Sequence, residues 1–256
     1  MKAVILAGGM GTRLGEETGM RPKPLVEIGG RPILWHIMKT YSAYGIAEFV
    51  ICCGYKGQMI KDYFLNYHDY SSVCTYSTKT HETETVASDV ESWRVTLVNT
   101  GLRTLTAGRI LRAREYIGEE PFFLTYGDGV ADLDLNALLD FHKAHKKAIT
   151  ISTTQPPGRF GAVKIDEEGV VHGFQEKARK DQSFVNIGYM VCEPEVYEYL
   201  GDGSEMLEAG PFEALARDGK MVAYPHPGFW SPMDTIHDRD YLEKLWKSGD
   251  APWGVS

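Results

Sequence analysis

An α/β fold, with a mostly parallel sheet covered by helices on both faces, is what this sequence predicts. Three observations point there. The chain opens on a short apolar run that stops at a glycine cluster, the pattern of a strand buried on both faces. Short apolar runs then alternate with segments whose apolar residues recur at helical spacing, the order of a parallel sheet. The 256 residues, 43% hydrophobic and 24% charged, hold enough apolar material for one large α/β domain with a sizeable core.

The elements follow in order. Lys2–Leu6 is the opening strand. Leu34, Ile37, Met38 and Tyr41 fall on one face of a helix over Ile33–Tyr44. Pro32 stands where a first turn accepts proline, and Gly45 can close that helix. Glu48–Cys52 reads as a second strand and Gly57–Tyr67 as a helix. His68–Trp93 is polar and weakly periodic, and is expected to be an excursion with some mobility. Strand Val95–Val98, helix Gly108–Tyr116, strand Phe122–Thr125, helix Leu135–His145 and strand Ile149–Thr153 resume the alternation. Ala162–Ile165, Val170–Gln175 and Val185–Cys192 then read as strands with few helices between them, which predicts a mixed sheet. Helices near Phe212–Arg217 and Asp238–Lys247 close the chain. No stretch is rich enough in Pro, Gly or Ser to mark a boundary. The expectation is one domain over 1–256, with residues 1–135 and 136–256 forming its two halves.

Composition excludes several classes. The formal charge of −8 is the wrong sign for a surface that coats nucleic acid. No run approaches the roughly 18 apolar residues of a membrane span, and Gly8-Gly9 ends the opening run too soon for a signal peptide. A cytoplasmic protein is expected. Cys52, Cys53, Cys74 and Cys192 contain no C-x-x-C spacing, so they read as reduced, mostly buried thiols rather than zinc ligands.

Ligands of open α/β sheets bind at the carboxyl ends of strands. The first strand runs into Leu6-Ala7-Gly8-Gly9-Met10-Gly11-Thr12-Arg13-Leu14. Its three glycines permit a tight turn and let main-chain N–H groups approach phosphate oxygens. Arg13 and Lys23 add cations beside it. Gly9 and Gly11 fit the dinucleotide fingerprint, but Leu14 stands where its third glycine belongs, and nothing matches the P-loop. The turn is a phosphate loop of another kind.

Leu6–Leu14 followed by Pro22-Lys23-Pro24 resembles the signature of the sugar nucleotidyltransferases. Further segments resemble its glucose-1-phosphate cytidylyltransferase branch: Gly30–Met38, Cys53–Gly57, Thr125–Gly129, Pro156–Gly161, Gly228–Thr235 and Ser248–Trp253. The similarity spans essentially the whole chain. It implies a Rossmann-like sheet with a smaller mixed-sheet sugar-binding region, the nucleotide-diphospho-sugar transferase fold. Residues 1–135 would then be mainly nucleotide-binding, and 136–256 mainly sugar-phosphate-binding with the C-terminal helices. The implied activity joins CTP to a hexose 1-phosphate, foremost α-D-glucose 1-phosphate, releasing pyrophosphate and feeding deoxysugar synthesis for surface polysaccharides. Mg²⁺ is the implied cofactor and a homo-oligomer the implied assembly.

The resemblance also assigns roles. Leu6, Ala7, Gly8, Gly9, Met10, Gly11, Thr12 and Arg13 would wrap the nucleotide, with Gly127 beside them. Arg13 would grip the leaving pyrophosphate and Lys23 would bind phosphate oxygens. Asp128, between two glycines at a strand end, and Asp234 would hold the metal. For Asp128 the plain alternative is a turn aspartate, and for Asp234 a cap on the last helix. Thr104 and Arg109 would contact the nucleotide; a helix start with an exposed arginine is the alternative. Glu176, Lys177 and Asn186 would hold the sugar phosphate; an exposed charged pair at a strand end is the alternative. Two departures fall on that acceptor side: Ala178 replaces a usual proline, and Ile187 a usual glycine. Other acceptors or nucleotides, a non-catalytic nucleotide-sugar sensor and a nicotinamide oxidoreductase are the competing readings.

Overall fold

The structure is a computed structural model that describes residues 1–11, 14–88, 90–155, 162–165, 171–175 and 184–254. Among these, the central sheet has strands β1 (Ala3–Ala7), β2 (Glu48–Cys53), β3 (Arg94–Asn99), β4 (Phe122–Tyr126), β5 (Ile149–Thr154), β6 (Val185–Cys192) and β7 (Met221–Pro225). The main helices are α1 (Ile33–Ala43), α2 (Gly57–Leu65), α3 (Thr106–Ile117), α4 (Leu135–His145), α5 (Gly210–Arg217) and α6 (Ile236–Ser248).

The strands lie in the order β3-β2-β1-β4-β6-β5-β7. β1 runs parallel to both β2 and β4, and β2 parallel to β3. β6 is antiparallel to β4 and to β5, whereas β5 and β7 are parallel. The sheet is therefore mostly parallel, as expected, with β6 as the reversed strand. The chain winds outward from β1 through β2 to β3, then returns to place β4 on the other side of β1. That reversal opens a crevice at the carboxyl ends of β1 and β4.

Strand alternation sends side chains into two cores. Ala3, Ile5 and Ala7 join one, with Ile33, Leu34, Ile37, Met38 and Tyr41 of α1. Val4 and Leu6 join the other, with Ala107, Ile110, Ala113 and Ile117 of α3. A strand buried on both faces cannot show polar alternation, which is why β1 reads as one continuous apolar run. Cys52, Cys53 and Cys192 are buried, and Cys74 is exposed.

Several expectations change. The polar stretch after α2 contains a short helix, Tyr67–Ser71, and an antiparallel hairpin, Ser72–Tyr76 with Thr83–Ser88. Val73, Tyr76 and Val86 on it are exposed, so the apolar periodicity that signals a half-buried strand has nothing to report here. α3 begins at Thr106 rather than Gly108: the Thr106 hydroxyl accepts the Leu207 N–H at 2.6 Å, a contact from a distant loop. Residues 162–165 and 171–175 pair as an antiparallel hairpin outside the central sheet. Among the described residues, no helix is long and apolar enough to cross a membrane.

Candidate active site

At the crevice a cleft of about 370 Å³ is lined by the first strand's loop, by Lys23, by Thr104–Thr106 and Arg109, and by Tyr126–Asp128 with Met206 and Asp234. Leu6, Ala7, Gly8, Gly9, Gly11, Lys23, Thr104, Arg109, Gly127, Asp128 and Asp234 thus share one cavity. Met10 is not on its wall and is half exposed. Thr12, Arg13, Glu176, Lys177, Ala178 and the Pro156–Gly161 motif lie outside the described residues.

One end of the cleft is charged. Lys23 sits in a short turn of 3-10 helix, Lys23–Leu25, with Pro22 and Pro24 restricting the backbone on either side. Its stem is buried beneath Gly11, whose φ of +62° suits glycine and whose missing Cβ would lie 3.1 Å from Lys23 Cβ. Its ammonium donates to Asp128 Oδ2 and to Asp234 Oδ1, both at 2.7 Å. Burial alone would lower the Lys23 pKa, but the two carboxylates, Asp128 foremost, override it and hold the ammonium above its ordinary value.

Two short devices bring the acids together. Gly129–Ala131 pairs antiparallel with Trp230–Pro232, with Gly129 opposite Pro232, and the Met233 N–H donates to the Asp128 carbonyl at 2.8 Å. Beyond that pair, α6 starts with a capping box: the Thr235 hydroxyl accepts the Asp238 N–H at 3.2 Å, and the Asp238 carboxylate accepts the Thr235 N–H at 2.8 Å. Thr235 is therefore the cap. Asp234, one residue earlier, directs its carboxylate to the cleft.

The other end is held by Arg109. Its guanidinium is buried, contrary to the exposed-arginine alternative, and donates to the Gly8 carbonyl at 2.9 Å, the Gly101 carbonyl at 2.9 Å and the Thr100 hydroxyl at 2.7 Å. A Cβ on Gly8 would lie 2.1 Å from the guanidinium, so only glycine lets the loop close on it. Arg109 borders the cleft, but these donors are spent on main-chain and hydroxyl oxygens.

Tyr126 and Met206 also line the cleft, and sequence reasoning did not single them out. The Tyr126 hydroxyl donates to Glu208, which accepts from Thr106 as well at 3.4 Å. Tyr126 was visible as part of a motif; the loop carrying Met206 and Glu208 has no signal of its own. Asn186 is not on the cleft wall; its Oδ1 accepts the Gly188 N–H at 2.9 Å. Ile187 is buried in the core on the Tyr189 side, so its bulk does not crowd the cleft. Among the described residues, no group of three or more His, Cys, Asp or Glu could hold a metal. The pair Asp128 and Asp234 would need ligands from a substrate.

The model of the family described as nucleotidyl transferase matches residues 2–242. The chain belongs to that family. This nucleotidyl transferase is 53% identical over 254 residues to a glucose-1-phosphate cytidylyltransferase of Salmonella typhi, covering 99% of this chain and 98% of the relative. It is 44% identical to a probable glucose-1-phosphate cytidylyltransferase of Bacillus subtilis over the full length of both. Solved structures share its fold. HddC from Yersinia pseudotuberculosis complexed with GMP-PN superposes with a TM-score of 0.68 at 21% identity, over 96% of this chain and 99% of that one. Apo UDP-glucose pyrophosphorylase gives 0.70 at 17% identity, over 97% and 99%.

Proposed function

We propose that the enzyme transfers the cytidylyl group of CTP to α-D-glucose 1-phosphate, releasing pyrophosphate and CDP-glucose. The observation that carries this reading is the convergence of Lys23, Asp128 and Asp234 beneath the glycine loop, in a chain matched end to end by cytidylyltransferases.

In the reaction an oxygen of the sugar phosphate forms a bond to the α-phosphorus. The bond from that phosphorus to the bridging oxygen breaks, and its electron pair leaves with pyrophosphate. No enzyme nucleophile is needed, so the work of the protein is to position two anions and to neutralise charge. Main-chain N–H groups of Gly8, Gly9 and Gly11, which line the cleft, would meet the phosphates, with Gly8 held in place by Arg109. Lys23 is a compact donor to phosphate oxygens. Arg13, by its motif, meets the departing pyrophosphate. Glu176, Lys177 and Asn186 are assigned to the sugar phosphate on the same ground.

A divalent cation fits the acid pair, because one carboxylate oxygen from each already converges within 2.7 Å of a single point, now marked by Lys23 Nζ. Two hard oxygen ligands, completed by phosphate oxygens and water, suit Mg²⁺. Bound there, the ion would neutralise charge at the phosphates. Assembly as a homo-oligomer in the cytoplasm, without nucleic-acid or membrane partners, completes the proposal.

The test is pyrophosphate release across a panel of nucleoside triphosphates and sugar 1-phosphates, with and without Mg²⁺. CTP with glucose 1-phosphate should be the best pair, and omitting any of the three should stop turnover. A better rate with UTP, GTP or dTTP, or with mannose 1-phosphate, would reassign the substrates.

A further inference from the structure

Lys23 places a cation in the cleft where it meets both acids. Its Nζ lies 2.7 Å from an oxygen of Asp128 and 2.7 Å from an oxygen of Asp234. A divalent ion held by the same two oxygens would lie beside that ammonium. Two cations so close repel each other across a site that carries only two negative charges, so the ammonium must give way as the ion enters.

The surroundings say which part moves. The Lys23 backbone is confined by the flanking prolines and the 3-10 turn, and its stem packs under Gly11. Only the far end of the four-carbon stem has room to swing. The lysine side chain is 10% exposed, while Asp128 and Asp234 are 38% and 29% exposed. The ammonium thus reaches the pair from the buried side, and the acids stay open to the cleft where a polyphosphate would lie.

We infer that Lys23 is a resident stand-in for the divalent cation, which keeps the acid pair occupied until a nucleotide arrives. In the nucleotide-free enzyme the ammonium bridges two carboxylates that would otherwise repel each other and offsets one of their two charges. An incoming triphosphate offers a denser negative charge on the cleft side and draws the ammonium off the acids onto its own oxygens. The pair is then vacated just as phosphate oxygens become available to complete the metal's shell. The cation therefore enters with or after the nucleotide. The inference rests on the proposed metal role of Asp128 and Asp234.

Mn²⁺ binding to the nucleotide-free full-length protein tests it, read as loss of the free-ion electron paramagnetic resonance signal. Wild-type protein should bind Mn²⁺ weakly. Lys23→Met should bind it more tightly, by a factor in the roughly 5–150-fold range of coupled sites. Lys23→Arg, which keeps a cation there, should behave as wild type. Mn²⁺ should also raise the melting temperature of Lys23→Met and not that of wild type, which reports folding in the same experiment. Lys23→Met binding no tighter than wild type overturns the inference, and so does tight binding by nucleotide-free wild type, which needs no variant to fold. The double variant Lys23→Met/Asp234→Asn separates the two claims. Loss of the gain there supports both, whereas a surviving gain places the metal elsewhere and removes the assigned site.

Discussion

The two ends of the cleft both contain a buried basic side chain, and the two are held in opposite ways. Lys23 is bound to carboxylates. Arg109 is bound to the Gly8 and Gly101 carbonyls and the Thr100 hydroxyl. An ammonium on two acids is an exchangeable arrangement, because its flexible stem can swing and a polyphosphate can draw it away. A guanidinium spread over these three neutral oxygens on two segments is framework. Its planar fork satisfies acceptors that no single small ion could reach together. Charge at one end is therefore available to a ligand, and the same sign of charge at the other end ties the glycine loop to the segment that follows β3.

Asp234→Ala breaks the charged end and should have the largest effect. Turnover should fall by at least about 10²–10³-fold, the scale of losing one electrostatic contact to the reacting groups. Near-wild-type circular dichroism should accompany it, and near-wild-type activity in that variant would remove the residue from the site. Arg109→Met breaks the framework end. It leaves buried acceptors without donors and should cost about 3 kcal/mol in urea unfolding, with a raised KM for the nucleotide. A large loss of kcat with unchanged stability would show instead that Arg109 touches the reacting groups.

His36 supplies a second framework group with a pH signature. Burial pushes its imidazole down to about 4, and it is held between the Ile28 carbonyl at 2.8 Å and the Trp253 indole N–H at 3.4 Å. The neutral ring donates to one and accepts from the other. Unfolded histidine takes up a proton near pH 6.5, so the unfolded state binds more protons between about 6.5 and 4. Its contribution is complete above that window and declines as pH falls through it. Unfolding free energy should drop by about 2 kcal/mol between about pH 7 and about pH 5 on this account, and His36→Gln should flatten that part of the profile. The smallest effect belongs to the caps. Thr235→Ala removes the α6 capping box and Asp134→Ala the α4 cap, whose carboxylate accepts the Asn136 and Ala137 N–H groups at 2.9 and 3.0 Å. Each should cost about 1 kcal/mol. Only Thr235→Ala should also lower kcat, because only that cap adjoins Asp234.

Much of the fold was legible because its signals are local. β1, β2 and β4 read as apolar runs, and α1 and α4 as helical stripes, at nearly their observed bounds. The hairpin within 72–88 was missed because its described apolar side chains face solvent, so burial imposed no pattern on its sequence. The pair Gly129–Ala131 with Trp230–Pro232 was missed because three-residue strands are too short to carry a period.

What the sequence determined by itself was the α/β alternation, the glycine turn after the first strand and the family to which the chain belongs. Tertiary structure alone decided that Lys23 lies between Asp128 and Asp234, that Thr235 rather than Asp234 caps the last helix, and that Arg109 turns inward. Periodicity and turn chemistry act between near neighbours, and they survive in the order of residues. Which distant segments meet depends on the order of strands in the sheet, and that order is set by how both cores close at once.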